Sequence, residues 1–193
     1  MKKFHLFVLI SLLSAACAMS QTAMHVQSGY ATIQSAVDAD DAGDVIGVVA
    51  GTYAEQVHLT ANNIPLHGSG TSNTFIESPA ILASYFTTAG HDYKPVVYAE
   101  GVANFTLNNL TVDGDGRGGA NDRFVGVGFR NAGGVVQDAD VLGITETPMN
   151  GNQNCDRVYA NNNTGGHFSL GCSNVTISSY QENGMIFPTK SNS

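Results

Sequence analysis

The chain has 193 residues, eight Lys and Arg against sixteen Asp and Glu, and a formal net charge of −8. At about 100–200 residues per domain this is one domain, and the acidic balance excludes nucleic acid as a partner, since phosphates need cations to neutralise them. Charged residues are 12% of the chain, hydrophobic residues 42%, and glycine occurs 22 times, which excludes a coiled coil and charge-driven disorder and points to an all-β chain of short strands and tight turns.

Lys2 and Lys3 precede the apolar run Phe4 to Leu13, and Ser14, Ala15, Ala16 and Ala18 follow. This predicts a secretory signal over residues 1–20 and a single mature domain over 21–193. The run is shorter than the roughly 20 residues of a spanning helix, so no transmembrane helix is expected. Before Cys17 stands Ser14-Ala15-Ala16, with Leu13 one place too far back for a lipoprotein signal. Cleavage leaves six basic side chains and two cysteines, Cys155 and Cys172. For these, a disulfide and a pair of buried thiols are the alternatives.

Next, Ile33, Ala36 and Val37 share one face of a short helix that Gly43-Asp44 stops, ahead of a first strand at Val45 to Val49. The helix is placed to cover the open edge of the first coil. From there the chain repeats. Val57-x-Leu59…Ile64-x-Leu66-x-Gly68 aligns with Phe105-x-Leu107…Leu110-x-Val112-x-Gly114, with Val136…Ala139-x-Val141-x-Gly143 and with Val175-x-Ile177…Tyr180…Gly184. Such units suit a solenoid of about seven coils, each about 20–25 residues, with loops inserted. Asparagines beside the strands are expected to stack at its turns.

The runs Tyr30-Ala-Thr-Ile-Gln-Ser-Ala-Val-Asp-Ala39, Gly43-Asp-Val-Ile46, Gly51-Thr-Tyr-Ala-Glu-Gln-Val57 and Leu66-His-Gly-Ser-Gly70 resemble the N-terminal cap and first coils of the pectin lyase-like right-handed parallel β-helix superfamily. Asn109 to Gly114, Phe129 to Gly134 and Tyr180 to Met185 are similar to secreted bacterial β-helix repeat proteins. The resemblance implies a right-handed parallel β-helix with a short capping helix, outside the cell, at its surface or in the periplasm. It does not fix the activity. Pectin methylesterases share the Gly51-Thr-Tyr-x-Glu opening, but neither of their two Asp motifs stands here, and Gln137-Asp-Ala-Asp140 is the nearest approach. Gly166-His167-Phe168 is similar to the Gly-His-Gly region of polygalacturonases, and Asp156 alone matches a carboxylate of that family.

The richest polar cluster is the loop Asp113-Gly-Asp115-Gly-Arg117-Gly-Gly-Ala-Asn121-Asp122-Arg123. Hard oxygens on a glycine-rich loop suit calcium, with Asp113, Asp115 and Asp122 as ligands, although Arg117 and Phe124 stand where an EF-hand needs oxygen donors. A solvated loop with Asx turns is the alternative. Arg117, Arg123, Arg130 and Arg157 all fall between 117 and 157, where successive coils can align them as a positive stripe for an acidic polymer. With no Trp in the chain, sugar stacking falls to Tyr98, Tyr159 or Tyr180. The six histidines include no pair at metal spacing along the chain, so no transition-metal enzyme is expected.

Two readings follow. In the first, a carbohydrate-active lyase or hydrolase works extracellular polysaccharide with Arg123 as base or carboxylate clamp, Asp156 and His167 as hydrolytic groups, Arg117, Arg130 and Arg157 as substrate contacts, and calcium on the aspartates. In the second, a non-catalytic surface β-helix presents its solenoid face to glycans or proteins. After Phe187 the sequence offers no capping helix, so either a truncated chain, the N-terminal part of a longer protein, or an uncapped last coil is expected.

Overall fold

The computed structural model describes residues 23–26, 29–41, 44–149, 155–179, 181 and 183–187. The expected signal over 1–20 with Cys17, the helix-stopping Gly43, Tyr180 and the end after Phe187 lie outside them. Strand β1 (Ala23–Val26) precedes helix α1 (Ile33–Asp38), a strand that the sequence reading did not anticipate. There follow β2 (Val45–Val48), β3 (Gly51–Ala54), β4 (Val57–Leu59), β5 (Pro65–His67), β6 (Thr74–Glu77), β7 (Phe86–Thr88), β8 (His91–Glu100), β9 (Phe105–Asn108), β10 (Thr111–Asp113), β11 (Phe124–Arg130), β12 (Gly134–Leu142), β13 (Cys155–Asn161), β14 (Leu170–Ile177) and β15 (Asn183–Ile186). Every pairing among them is parallel except the β7–β8 hairpin.

Three inward columns run the length of this solenoid. Ile46, Leu66, Leu107, Val136 and Cys172 stack in register, as do Tyr53, Ile76, Val112, Val141 and Ile177, and Val57, Val97, Val127, Val158 and Met185. As far as Val136, Val141 and Val158 each column buries one branched or apolar side chain on the next, which is how period-two strands fill a narrow interior, while Cys172 and Met185 at the column ends are exposed. The first column takes 20 to 41 residues per coil, so about five coils form where seven were expected. The repeat alignment is also shifted at its start, since Leu66 stacks on Leu107 rather than on Val112.

The expected asparagine ladders exist. Asn109, Asp138 and Asn174 hold φ values of 61°, 47° and 49° at the corner between the first and second columns, and Asn174 Nδ2 donates to Asp138 Oδ1 at 2.7 Å. At another corner Asn104 Nδ2 donates to Asn63 Oδ1 at 2.9 Å. The capping helix is fixed by the family-like opening motif. Thr32 and Ser35 form a reciprocal capping box, and Glu55 accepts from the backbone N–H of Ile33 at 2.8 Å and of Gln34 at 2.9 Å. Gln34 in turn clamps His58, accepting from its N–H at 2.7 Å and donating to its carbonyl at 3.2 Å. The Gly-Thr-Tyr-x-Glu pattern is therefore a helix anchor.

Candidate functional site

The sheet that carries the third column, here called the third sheet, has the order β4–β8–β11–β13–β15 and carries Val57, Val97, Val127 and Val158 inward, so the next residue of each strand must point out. Those residues are His58, Tyr98, Gly128, Tyr159 and, on β15, Ile186. The hairpin of β7 and the start of β8 folds over them. Tyr98 stacks against His58 at 4.9 Å, Tyr85 at 5.0 Å and Phe86 at 5.4 Å between ring centroids. Phe86 also lies 4.9 Å from Tyr93 and 5.9 Å from Tyr159, and Tyr93 lies 4.7 Å from Tyr159. The result is a second small core outside the coil: Tyr98 is 0%, Phe86 and Tyr159 4% and Tyr93 7% exposed.

Two arginines cap this layer. The Arg123 guanidinium carbon lies 5.8 Å from the Tyr93 ring centroid and that of Arg130 5.3 Å from Phe86. Arg123 stands just before β11 at φ 52°, and its carbonyl accepts from Lys94 N–H at 3.0 Å. Asp156, on β13, lies in register with Val125 and Asn183, and the Asn183 amide donates to it at 3.5 Å. Burial pushes the Tyr93 phenol above its ordinary range, helped by its hydrogen bond with Tyr159 and the charge of Asp156 and opposed by Arg123. Burial likewise raises Tyr98, with Glu100 adding to the shift and Arg130 opposing it. His58 is held below 6.5 by burial, with Glu100 opposing, and its Nε2 lies 3.6 Å from a Glu100 carboxylate oxygen.

Of the three candidate catalytic residues the structure sets Arg123 over the Tyr93 ring and Asp156 near enough for its charge to act on the Tyr93 phenol. It does not bring His167 there. That residue lies in the exposed turn past the far end of β13, and the five steps from Asp156 to Asn161 alone span about 16 Å at ~3.3 Å per residue.

Arg130 stands on the outer face as expected. Arg157 does not: it is 0% exposed, and its guanidinium donates to the backbone carbonyls of Ser178 and Ser179. It holds the last coil and cannot meet a polymer. Arg117 pairs with Asp115 at 2.7 Å and Glu77 at 3.0 Å and donates to the Ser78 carbonyl, so it ties the 113–122 loop to the coil beneath.

In that loop Asp113 accepts from Asp115 N–H at 2.9 Å in an Asx turn, Asp115 is neutralised by Arg117, and Asp122 points to solvent. Asn121, fully buried, pins the loop by accepting from Leu82 N–H and donating to the carbonyls of Ala80 and Arg117. Among the described residues no group of three or more His, Cys, Asp or Glu side chains is placed to hold a metal ion. Cys155 and Cys172 are free thiols, one buried and one exposed. They lie on strands of different sheets, β13 and β14, with no bond between them, and of the expected pair of buried thiols only Cys155 is buried. Tyr98 and Tyr159 do come together, but their faces are covered by Phe86, so they offer no stacking platform to a sugar. The covering hairpin was missed in the sequence; the aromatic pair Tyr85-Phe86 ahead of Tyr93 was its signal.

No protein-family profile and no curated protein matches the chain. Solved structures do. A pectin methylesterase point mutant in complex with hexasaccharide IV is 18% identical with a TM-score of 0.50, over 80% of this chain and 50% of that one. A pectin methylesterase in complex with hexasaccharide VII is 16% identical with a TM-score of 0.52, over 83% and 56%. The likeness shows the fold, a right-handed parallel β-helix. The chain spans about half the length of these structures.

Proposed function

We propose that this is a secreted β-helix protein that binds an acidic extracellular polysaccharide along the outer face of the third sheet, with Arg123 and Arg130 holding its carboxylates. One observation carries the reading: both guanidiniums lie over buried rings of a single aromatic layer. Such rings fix an arginine while leaving its donors for a planar anion. On a chain of net charge −8 the polyanion would be held by these two guanidiniums locally, not by the charge of the protein as a whole.

The same face argues against hydrolysis by the described residues. Glycoside cleavage needs two carboxyl groups about 5–9.5 Å apart. Asp156 and Glu100 share this face, but their register places them five residues apart along the strands and two strands apart across. That separation is about 16 Å by 10 Å. Elimination needs a base, and the raised phenol of Tyr93 stays protonated at neutral pH.

The test is a titration with polygalacturonate, alginate and a neutral glucan, reading bound polymer, reducing ends and unsaturated-uronate absorbance. Salt-sensitive binding of the two polyuronates without product supports the reading. Product, or equal binding of the neutral glucan, overturns it.

A further inference from the structure

On another face, formed by β1, β2, β5 and β9, one outward row reads His25, Gly47, His67 and Asn108 in register. Their neighbours Val26, Ile46 and Leu66 are fully buried, so the row points to solvent, and His25 and His67 are both exposed. Neighbouring strands lie about 4.8 Å apart, which puts the two histidine Cα atoms about 10 Å apart across the middle strand. That strand contributes Gly47, which has no side chain to stand between them. The space is a groove of about 270 Å³ lined by both histidines, Gly47, Gly68 and Ser69.

Two imidazoles that line one groove, with a glycine on the strand between them, can converge on a single ion at metal–nitrogen distances of about 2.0–2.1 Å. Imidazole favours copper, nickel and zinc over calcium and magnesium, and the acidic chain attracts a dication. We propose that His25 and His67 form a two-imidazole site for a divalent transition-metal ion across Gly47, with water completing the coordination. In sequence the pair is invisible, because the β-helix register alone makes the two strands near neighbours.

The probe is cupric ion added to the whole protein, followed by calorimetry and by electron paramagnetic resonance. One bound ion showing coupling to two imidazole nitrogens is expected. Loss of even an outer-shell partner typically costs roughly 10–100-fold in metal affinity, so His25→Gln and His67→Gln should each weaken binding at least tenfold. Gly47→Leu should weaken it comparably with both ligands still present, and His91→Gln, on the distant hairpin, should leave it unchanged. Unaltered affinity in both His25→Gln and His67→Gln, or a spectrum without two imidazole nitrogens, overturns the site.

Discussion

Replacing Arg157 by alanine separates a structural arginine from a binding one. The side chain is fully buried and donates to the carbonyls of Ser178 and Ser179, joining β13 to the turn after β14. A hydrogen bond from a charged donor contributes about 1.5–3 kcal/mol, and a buried acceptor left unpaired costs about 1–3 kcal/mol. Ser179 is exposed and recovers water, so the sum stays near one such loss plus the packing of the aliphatic stem, about 2–4 kcal/mol. At roughly 2–4 °C per kcal/mol for a domain of this size, the melting temperature should fall by roughly 5–15 °C. Differential scanning calorimetry measures this, and polyuronate binding of the still-folded variant should match wild type. Unchanged melting with lost binding would show that Arg157 faces the ligand and refute the burial argument.

Arg123→Ala and Arg130→Ala should show the reverse pattern, each weakening polyuronate binding about tenfold, equivalent to 1.4 kcal/mol, with little change in melting. Phe86→Ala removes the ring shared by Tyr93, Tyr98 and Tyr159 and should cost about 3–5 kcal/mol; faster hydrogen exchange confined to 86–98 would locate the loss. With a thiol reagent, Cys172 should react in the native protein, slowly because partial desolvation raises its thiol pKa, and Cys155 only after unfolding. Two thiols missing under non-reducing denaturation would restore the disulfide. Burial, with Asp44 and Asp41 nearby, raises Asp40 from 3.8 to about 6. The native state therefore holds this proton more tightly than the unfolded chain, a contribution complete below pH 3.8 and lost as pH rises through 6. Asp40→Asn should raise the melting temperature at pH 8 and leave it unchanged at pH 3.5.

The solenoid is legible in the sequence because its columns are local patterns: Leu66, Leu107 and Val136 each sit in an alternating strand bounded by Gly or Asn. The coil count is not, because loops such as 78–85 and 113–123 vary freely in length while the register across them is set by burial. Strand β1 is four residues long and has no turn signal ahead of it. At the site, alternation says which residues of β11 and β13 point out, but a tyrosine reads the same in a core and under a covering hairpin, so Tyr98 and Tyr159 looked available to a sugar. Arg157 misleads for a related reason. Val127 and Val158 pair in register while Gly126 and Arg157 before them are also fully or nearly enclosed, so strict alternation breaks at that level and turns an expected surface cation inward.

The most direct test of the binding face is hydrogen–deuterium exchange with and without an oligogalacturonate. Protection confined to segments 85–94 and 123–130, and absent in the Arg123→Ala, Arg130→Ala double variant, is the predicted result. Protection confined to the corner of Asn109, Asp138 and Asn174, or none at a concentration where binding is measured, would contradict it.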